Sequence, residues 1–122
     1  INGCSDREAN DWREHLIQMM PEVEFLNPMI RDYRGKEDQE FRKIVEGDKA
    51  DIKSCDFVVV NYSKPSVGTS MEILHAWLAE IPVLLIDQSR ASLSPWLRYH
   101  SSEIVQTTGQ AVERLREMME DF

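Results

Sequence analysis

The chain has too few cysteines for a disulfide framework. Only Cys4 and Cys55 occur in 122 residues, and neither lies in a CxxC, so free thiols in a reducing compartment are expected. The three histidines, His15, His75 and His100, are scattered without ligand spacing, which argues against a zinc site. No apolar run approaches the roughly 18 residues of a membrane span, and no signal peptide is visible. The expectation is a cytoplasmic protein with no membrane partner. Repeats, low-complexity tracts and linkers are also missing, so residues 1–122 read as one domain of common size. Positive charge is scarce: 14 Lys and Arg stand against 22 Asp and Glu, a net charge of −8. Such a surface repels a phosphate backbone and excludes nucleic-acid polymers as partners, although local N–H dipoles can still hold a small anion. There is no initiator methionine either. The sequence opens on Ile1-Asn2-Gly3, so residues upstream are expected.

What is present is an ordinary globular balance, 42% hydrophobic and 30% charged, enough to bury a core without a metal or a staple. Ser5-Asp6-Arg7-Glu8 fits the S-x-x-E capping box. Behind it Trp12, Leu16, Ile17, Met19 and Met20 form one helical face, which Pro21 ends. Val23–Leu26 reads as a short strand and 29–36 as a charged loop. From about Asp38 to Ser54 a second helix turns Phe41, Ile44, Val45 and Ile52 inward. Phe57–Val60 is a continuous apolar run, as suits a parallel strand covered on both faces. A polar loop, Asn61–Gly68, leads to a helix over about Thr69–Ala79, with Met71, Leu74, Trp77 and Leu78 as core candidates. Pro82 opens a strand at Val83–Ile86. A loop over 87–102, a short strand at Ile104–Val105 and a helix near Gln110–Glu120, with Val112, Leu115 and Met119 inward, complete the chain. This alternation predicts a single three-layer, doubly wound α/β domain with a mostly parallel sheet, flavodoxin-like or Rossmann-like. Since the order begins with a helix, a first strand is expected before Ile1.

Ligands of open α/β sheets sit beyond the carboxyl ends of the strands. The Asn61–Gly68 loop follows what reads as the most buried strand. Glu72 falls in the expected first turn of the helix after it, where the helix dipole favours a charged carboxylate by about 0.3–1 kcal/mol. Two readings fit: an ionised nucleophile, or an acid that merely complements the dipole. Gly68 allows close backbone approach, and Thr69 and Ser70 offer N–H and hydroxyl donors.

The stretch Gly47–Trp77, GDKADIKSCDFVVVNYSKPSVGTSMEILHAW, resembles the central motif of the nucleoside deoxyribosyltransferase and nucleotide N-hydrolase superfamily: an Asp, a helix ending in a small residue and Asp, a Val-rich strand, a loop ending in Gly-Thr-x-x-Glu, a helix and a Pro-led strand. Ile1-Asn2-Gly3 resembles the residues that follow that family's first strand and its turn, so the likeness runs from residue 1 to about 98. It implies that Glu72 attacks the sugar C1′ and forms a glycosyl-enzyme intermediate. It implies that Asp48 is the second acid, handling protons or orienting the substrate; a solvated helix acid is the plain alternative. Ser66 stands six residues before Glu72, in Pro65-Ser66-Val67-Gly68. Free-nucleoside transferases carry an Asp there, and the 5′-monophosphate hydrolases a Ser, whose hydroxyl can donate to a phosphate that an Asp would repel; an ordinary turn serine is again the alternative.

Ser94, in Leu93-Ser94-Pro95-Trp96-Leu97-Arg98, resembles a phosphate-binding serine supplied by a neighbouring subunit. Trp96 and Leu97 are then interface anchors, or core, and Arg98 is a phosphate partner or a surface charge. With Gly68, Thr69, Asn2 and Gly3, these make up the candidate substrate pocket. The resemblance implies a nucleoside or nucleoside 5′-monophosphate as substrate, a homodimer or higher homo-oligomer, and no metal or organic cofactor. It departs from the family where a first strand and its phosphate-binding turn are expected. Two other readings stand beside it. One is a nucleotide-binding sensor on the same fold without turnover. The other is a flavodoxin-like or response-regulator-like module, for which Asp87 is the strand-end acid.

Overall fold

The computed structural model describes residues 6–26, 37–89 and 92–120. In chain order the elements are α1 (Asp6–Met19), α2 (Glu37–Ser54), β1 (Val58–Tyr62), α3 (Val67–Leu78), β2 (Val83–Asp87), α4 (Pro95–His100), β3 (Glu103–Val105) and α5 (Thr108–Glu120). The strands form one sheet in the order β1-β2-β3, parallel throughout, with Val58 opposite Val83 and Leu84 opposite Glu103. No helix among the described residues is long and apolar enough to cross a membrane.

The period of two along each strand divides the core into two layers. Leu84 and Ile86 of β2 point to one face, where they pack with Leu16 and Met20 at the end of α1, Val105, and Ala111, Val112 and Leu115 of α5. Val83 and Leu85 point to the other, meeting Ile52 of α2, Ile73 and Ala76 of α3 and Leu97 of α4. Helices therefore cover both faces of a parallel sheet, the three-layer α/β arrangement expected from the alternation of elements.

Several sequence expectations are corrected. Val23–Leu26 forms no strand among the described residues. Val23 and Phe25 do alternate into the α1–α5 core, so the period of two there records one-sided burial without a ladder. The most buried strand is β2, whose Val83–Ile86 are wholly covered, and not β1, which is the outer strand among the described residues and is only half-buried. The 87–102 segment contains α4, begun by Pro95 at the first helical position after Ser94 as cap. On α3 the core residues are Ile73 and Ala76, whereas Met71, Leu74, Trp77 and Leu78 are exposed. Phe41 and Val45 of α2, and Ile17 and Met19 of α1, are exposed as well. Leu16, Met20, Ile52, Val112 and Leu115 are buried as read.

The turn after α3 holds an unusual backbone. Glu80 has φ 60°. Its N–H donates to Trp77 O at 3.0 Å, and that of Ile81 to Ala76 O at 2.9 Å. This is a Schellman closure, with Glu where glycine is usual, and Pro82 then prevents the helix from continuing. An L-residue in the left-handed region is strained by about 1 kcal/mol. Glu80→Gly is therefore expected to stabilise the fold by about that amount in urea unfolding; a loss of stability would mean that the Glu80 side chain has a compensating partner.

Candidate active site

A cavity of about 690 Å³ opens at the carboxyl end of β1 and runs back along that strand's outer edge between α1 and α2. This volume lies within the range of small-molecule sites. Asn61 and Ser63 lie at the strand end, Thr69 and Glu72 come from α3, Asp48 and Asp51 from α2, and Trp12, Arg13 and Leu16 from α1. The local sequence explains the placement. Ser66 caps α3, its hydroxyl oxygen accepting from Thr69 N at 3.3 Å. Helix phase from that cap puts Glu72 on the flank of the side that carries Ile73 and Ala76 into the core.

Glu72 is therefore in the second turn of α3, not the first as the sequence suggested, since the helix begins two residues earlier, at Val67. The dipole acts mainly within the first turn, so another influence dominates. Burial first, and then the negative charge of Asp48, raise the Glu72 carboxyl from its usual range to about 7, against the pull of Arg13. Desolvation and a like charge both disfavour the ionised form. The dipole's preference for the charged form is thus outweighed by burial. At neutral pH Glu72 is divided between acid and carboxylate.

Glu72, Asp48 and Thr69 share the cavity, while Ser66, Gly68 and Ser94 do not line it. Gly68 is the second residue of α3, and a Cβ there would meet nothing within 4 Å. Ser94 caps α4, accepting from Trp96 N at 3.2 Å, and Arg98 is exposed on that helix. Asn2 and Gly3 lie outside the described residues. Asp87 accepts from Ser89 N at 3.0 Å and Ser89 Oγ at 2.6 Å, a local turn that occupies the strand-end acid of the response-regulator reading. Among the described residues, no group of three His, Cys, Asp or Glu is placed to hold a metal ion. Cys55 also lines the cavity, but burial and the charge of Asp51 push its thiol up, which keeps it protonated and unreactive.

Two contributors escaped the sequence reading. Arg13 supplies the positive charge that acts on Glu72; its only trace was its position beside Trp12 and Leu16 on the α1 face. Asn61 has a buried Oδ1 without a hydrogen-bond partner among the described residues. Such an acceptor is costly to leave bare, and Asn61 is one of the residues that line the cavity.

Ser66 allows a clean test of its two readings. Ser66→Ala removes both cap and hydroxyl and is expected to cost about 1 kcal/mol, whereas Ser66→Gly largely keeps the cap. If the hydroxyl meets a 5′-phosphate, Ser66→Gly raises KM for monophosphates but not for nucleosides. An unchanged KM for both assigns the residue to capping alone. No protein-family model matches the chain, and no curated protein matches it.

Proposed function

We propose that this chain cleaves the N-glycosidic bond of a (deoxy)nucleoside or its 5′-monophosphate. The Glu72 carboxylate attacks C1′ and the C1′–N bond breaks. The base leaves with the electron pair and takes up a proton from solvent water, while the Asp48 carboxylate, the second acid, orients sugar and base. Water, or the nitrogen of another base, then attacks C1′ and gives up its proton to that carboxylate, and Glu72 departs as the carboxylate. Water makes the protein an N-hydrolase; a second base makes it a deoxyribosyltransferase. The reading belongs with a cytoplasmic protein that acts as a homo-oligomer and needs neither metal nor organic cofactor for this step.

The observation that supports it best is the pairing of two carboxylates from different helices, Glu72 and Asp48, in one cavity at the carboxyl end of a parallel strand. Two carboxylates in one site are the groups that displacement at an acetal-like carbon uses, one of them attacking the carbon.

The test uses two mixtures, deoxynucleoside monophosphates alone and a deoxynucleoside with a second free base, each followed by chromatography. Free base from the first supports hydrolysis, and a new nucleoside from the second supports transfer. Mass spectrometry should then find a pentosyl adduct on the peptide containing Glu72. Neither product in either mixture sinks both versions.

One observation favours a second reading. A half-neutral Glu72 at pH 7 is also what a binding site would use to donate a hydrogen bond, as in a nucleotide sensor without turnover. Nucleotide binding without product by the wild type, and weaker binding by Glu72→Ala, selects the sensor.

A further inference from the structure

Six carboxyl groups line the cavity, those of Glu22, Glu24, Asp48, Asp51, Asp56 and Glu72. Arg13 is the one lysine, arginine or histidine that does so among the described residues. An arginine side chain is long and flexible, and its charge alone does not decide which of several acids it serves. Yet that charge acts on Glu72, where only burial and Asp48 have larger effects. Something must fix where the guanidinium sits.

The preceding side chain does so. Arg13 Cζ lies over the Trp12 ring, 4.8 Å from its centre. Successive residues of a helix point about 100° apart and do not ordinarily meet, so the arginine folds back to reach the indole. The indole is itself held, because Trp12 is half-buried and packs against the α1–α5 core. A cation over an indole face is retained there about two- to fivefold over its released form. No other described group around Glu72 can take this part. Helix α2 presents the acids Asp48 and Asp51, β1 the uncharged Asn61 and Ser63, and α3 itself Thr69. A second pair of the same kind occurs on α2, with Arg42 Cζ 5.6 Å from the centre of the Phe41 ring, but neither residue lines the cavity.

We propose that Trp12 is a positioning residue of this site, its indole face seating the Arg13 guanidinium where it supports the charged form of Glu72. The proposal deepens the reading of Glu72 as the attacking carboxylate and rests on it. Trp12 acts through Arg13 alone, so removing its ring has the consequence of displacing Arg13.

The test follows the carboxyl carbon of Glu72 by carbon-13 NMR as pH is raised through neutrality. The resonance is assigned by its loss in Glu72→Gln, and circular dichroism checks folding. Arg13→Gln should move the Glu72 midpoint to higher pH. Trp12→Leu keeps apolar bulk and loses the aromatic face; it should reproduce about half of that movement or more. Trp12→Phe, which keeps a face, should lie close to the wild type. Added to Arg13→Gln, Trp12→Leu should move the midpoint no further. Phe41→Leu, at the pair outside the cavity, should leave it in place. The acid limb of kcat/KM should move in the same order. If Trp12→Leu does not fold, Arg13→Lys decides: it keeps the charge and loses the plane that stacks on the ring, and the midpoint should again rise. A midpoint that Trp12→Leu leaves in place, or raises equally with and without Arg13, overturns the proposal, as then does an unmoved midpoint in Arg13→Lys. Midpoints that move as stated in a protein that releases no base uphold the role of Trp12 and overturn only the assignment of Glu72 as nucleophile.

Discussion

Glu72→Gln is expected to abolish base release, by a factor on the order of 10⁴ or more, and at the same time to make the fold more stable above neutral pH. The first effect follows from removing the atom that bonds to C1′; losing a nucleophile typically leaves only the catalysis that binding and positioning supply. The second follows from linkage. In the unfolded chain Glu72 loses its proton near the usual glutamate value, 4.5, but in the folded protein it keeps the proton up to about 7. Between those limits the folded state binds the extra proton, so its stability falls as pH rises. Below about 4.5 the wild type retains the full contribution, and above about 7 it has lost up to about 3 kcal/mol of it. Glutamine has no charge to bury and escapes this fall. Urea unfolding at pH 4.5 and pH 8 should show the variant gaining on the wild type only at the higher pH. Equal differences at both values would show that Glu72 is solvated and freely ionised, and the active-site reading would lose its electrostatic basis.

The second large effect is the pH dependence of turnover. A nucleophilic carboxylate must be ionised, so kcat/KM, which reports the free enzyme, should rise about tenfold per pH unit up to about 7 and level off above it. At pH 5 it should stand about a hundredfold below the plateau. The position of that limb can be moved in either direction. Asp48→Asn removes the like charge that raises Glu72, so the limb moves to lower pH. Arg13→Gln removes the opposing positive charge, and the limb moves to higher pH. Opposite displacements by two residues on different helices are hard to obtain from a merely structural role. A profile that stays flat from pH 5 to 8 would remove Glu72 as the nucleophile, whatever the variants did.

Much of the architecture was legible in the sequence because it rests on local chemistry. Pro21 and Pro82 mark where helices cannot continue, and α1 and α3 do end just before them. The alternation of apolar runs with amphipathic segments announced a parallel sheet between helices, and the structure has one. The last helix was read as beginning near Gln110, yet it begins at Thr108. Gln110 Oε1 accepts from Thr107 N, while Gln110 N donates to Thr107 Oγ1, a reciprocal T-x-x-Q cap that carries the boundary back toward Thr107. The capping serine of α3, Ser66, lay inside the segment read as loop, and the two-residue shift it causes moved Glu72 from the first turn to the second.

The inward side of α3 was not legible. Both sides of that helix are apolar, so periodicity cannot choose between Ile73 with Ala76 and Met71 with Leu74 and Leu78. Only the sheet's position made the first pair core and left the second exposed.

By itself, then, the sequence determined where the chain must extend, coil and stop, and which acids lie near the mouth of the sheet, since spacing and side-chain stereochemistry act over a few residues. The tertiary structure alone decided that β2 lies between β1 and β3 among the described residues, that Asp48 and Arg13 converge on Glu72 from separate helices, and that burial helps lift this acid to about 7. Desolvation and charge coupling depend on what folding brings together in space, across 24 residues from Asp48 and 59 from Arg13, and no local pattern encodes them.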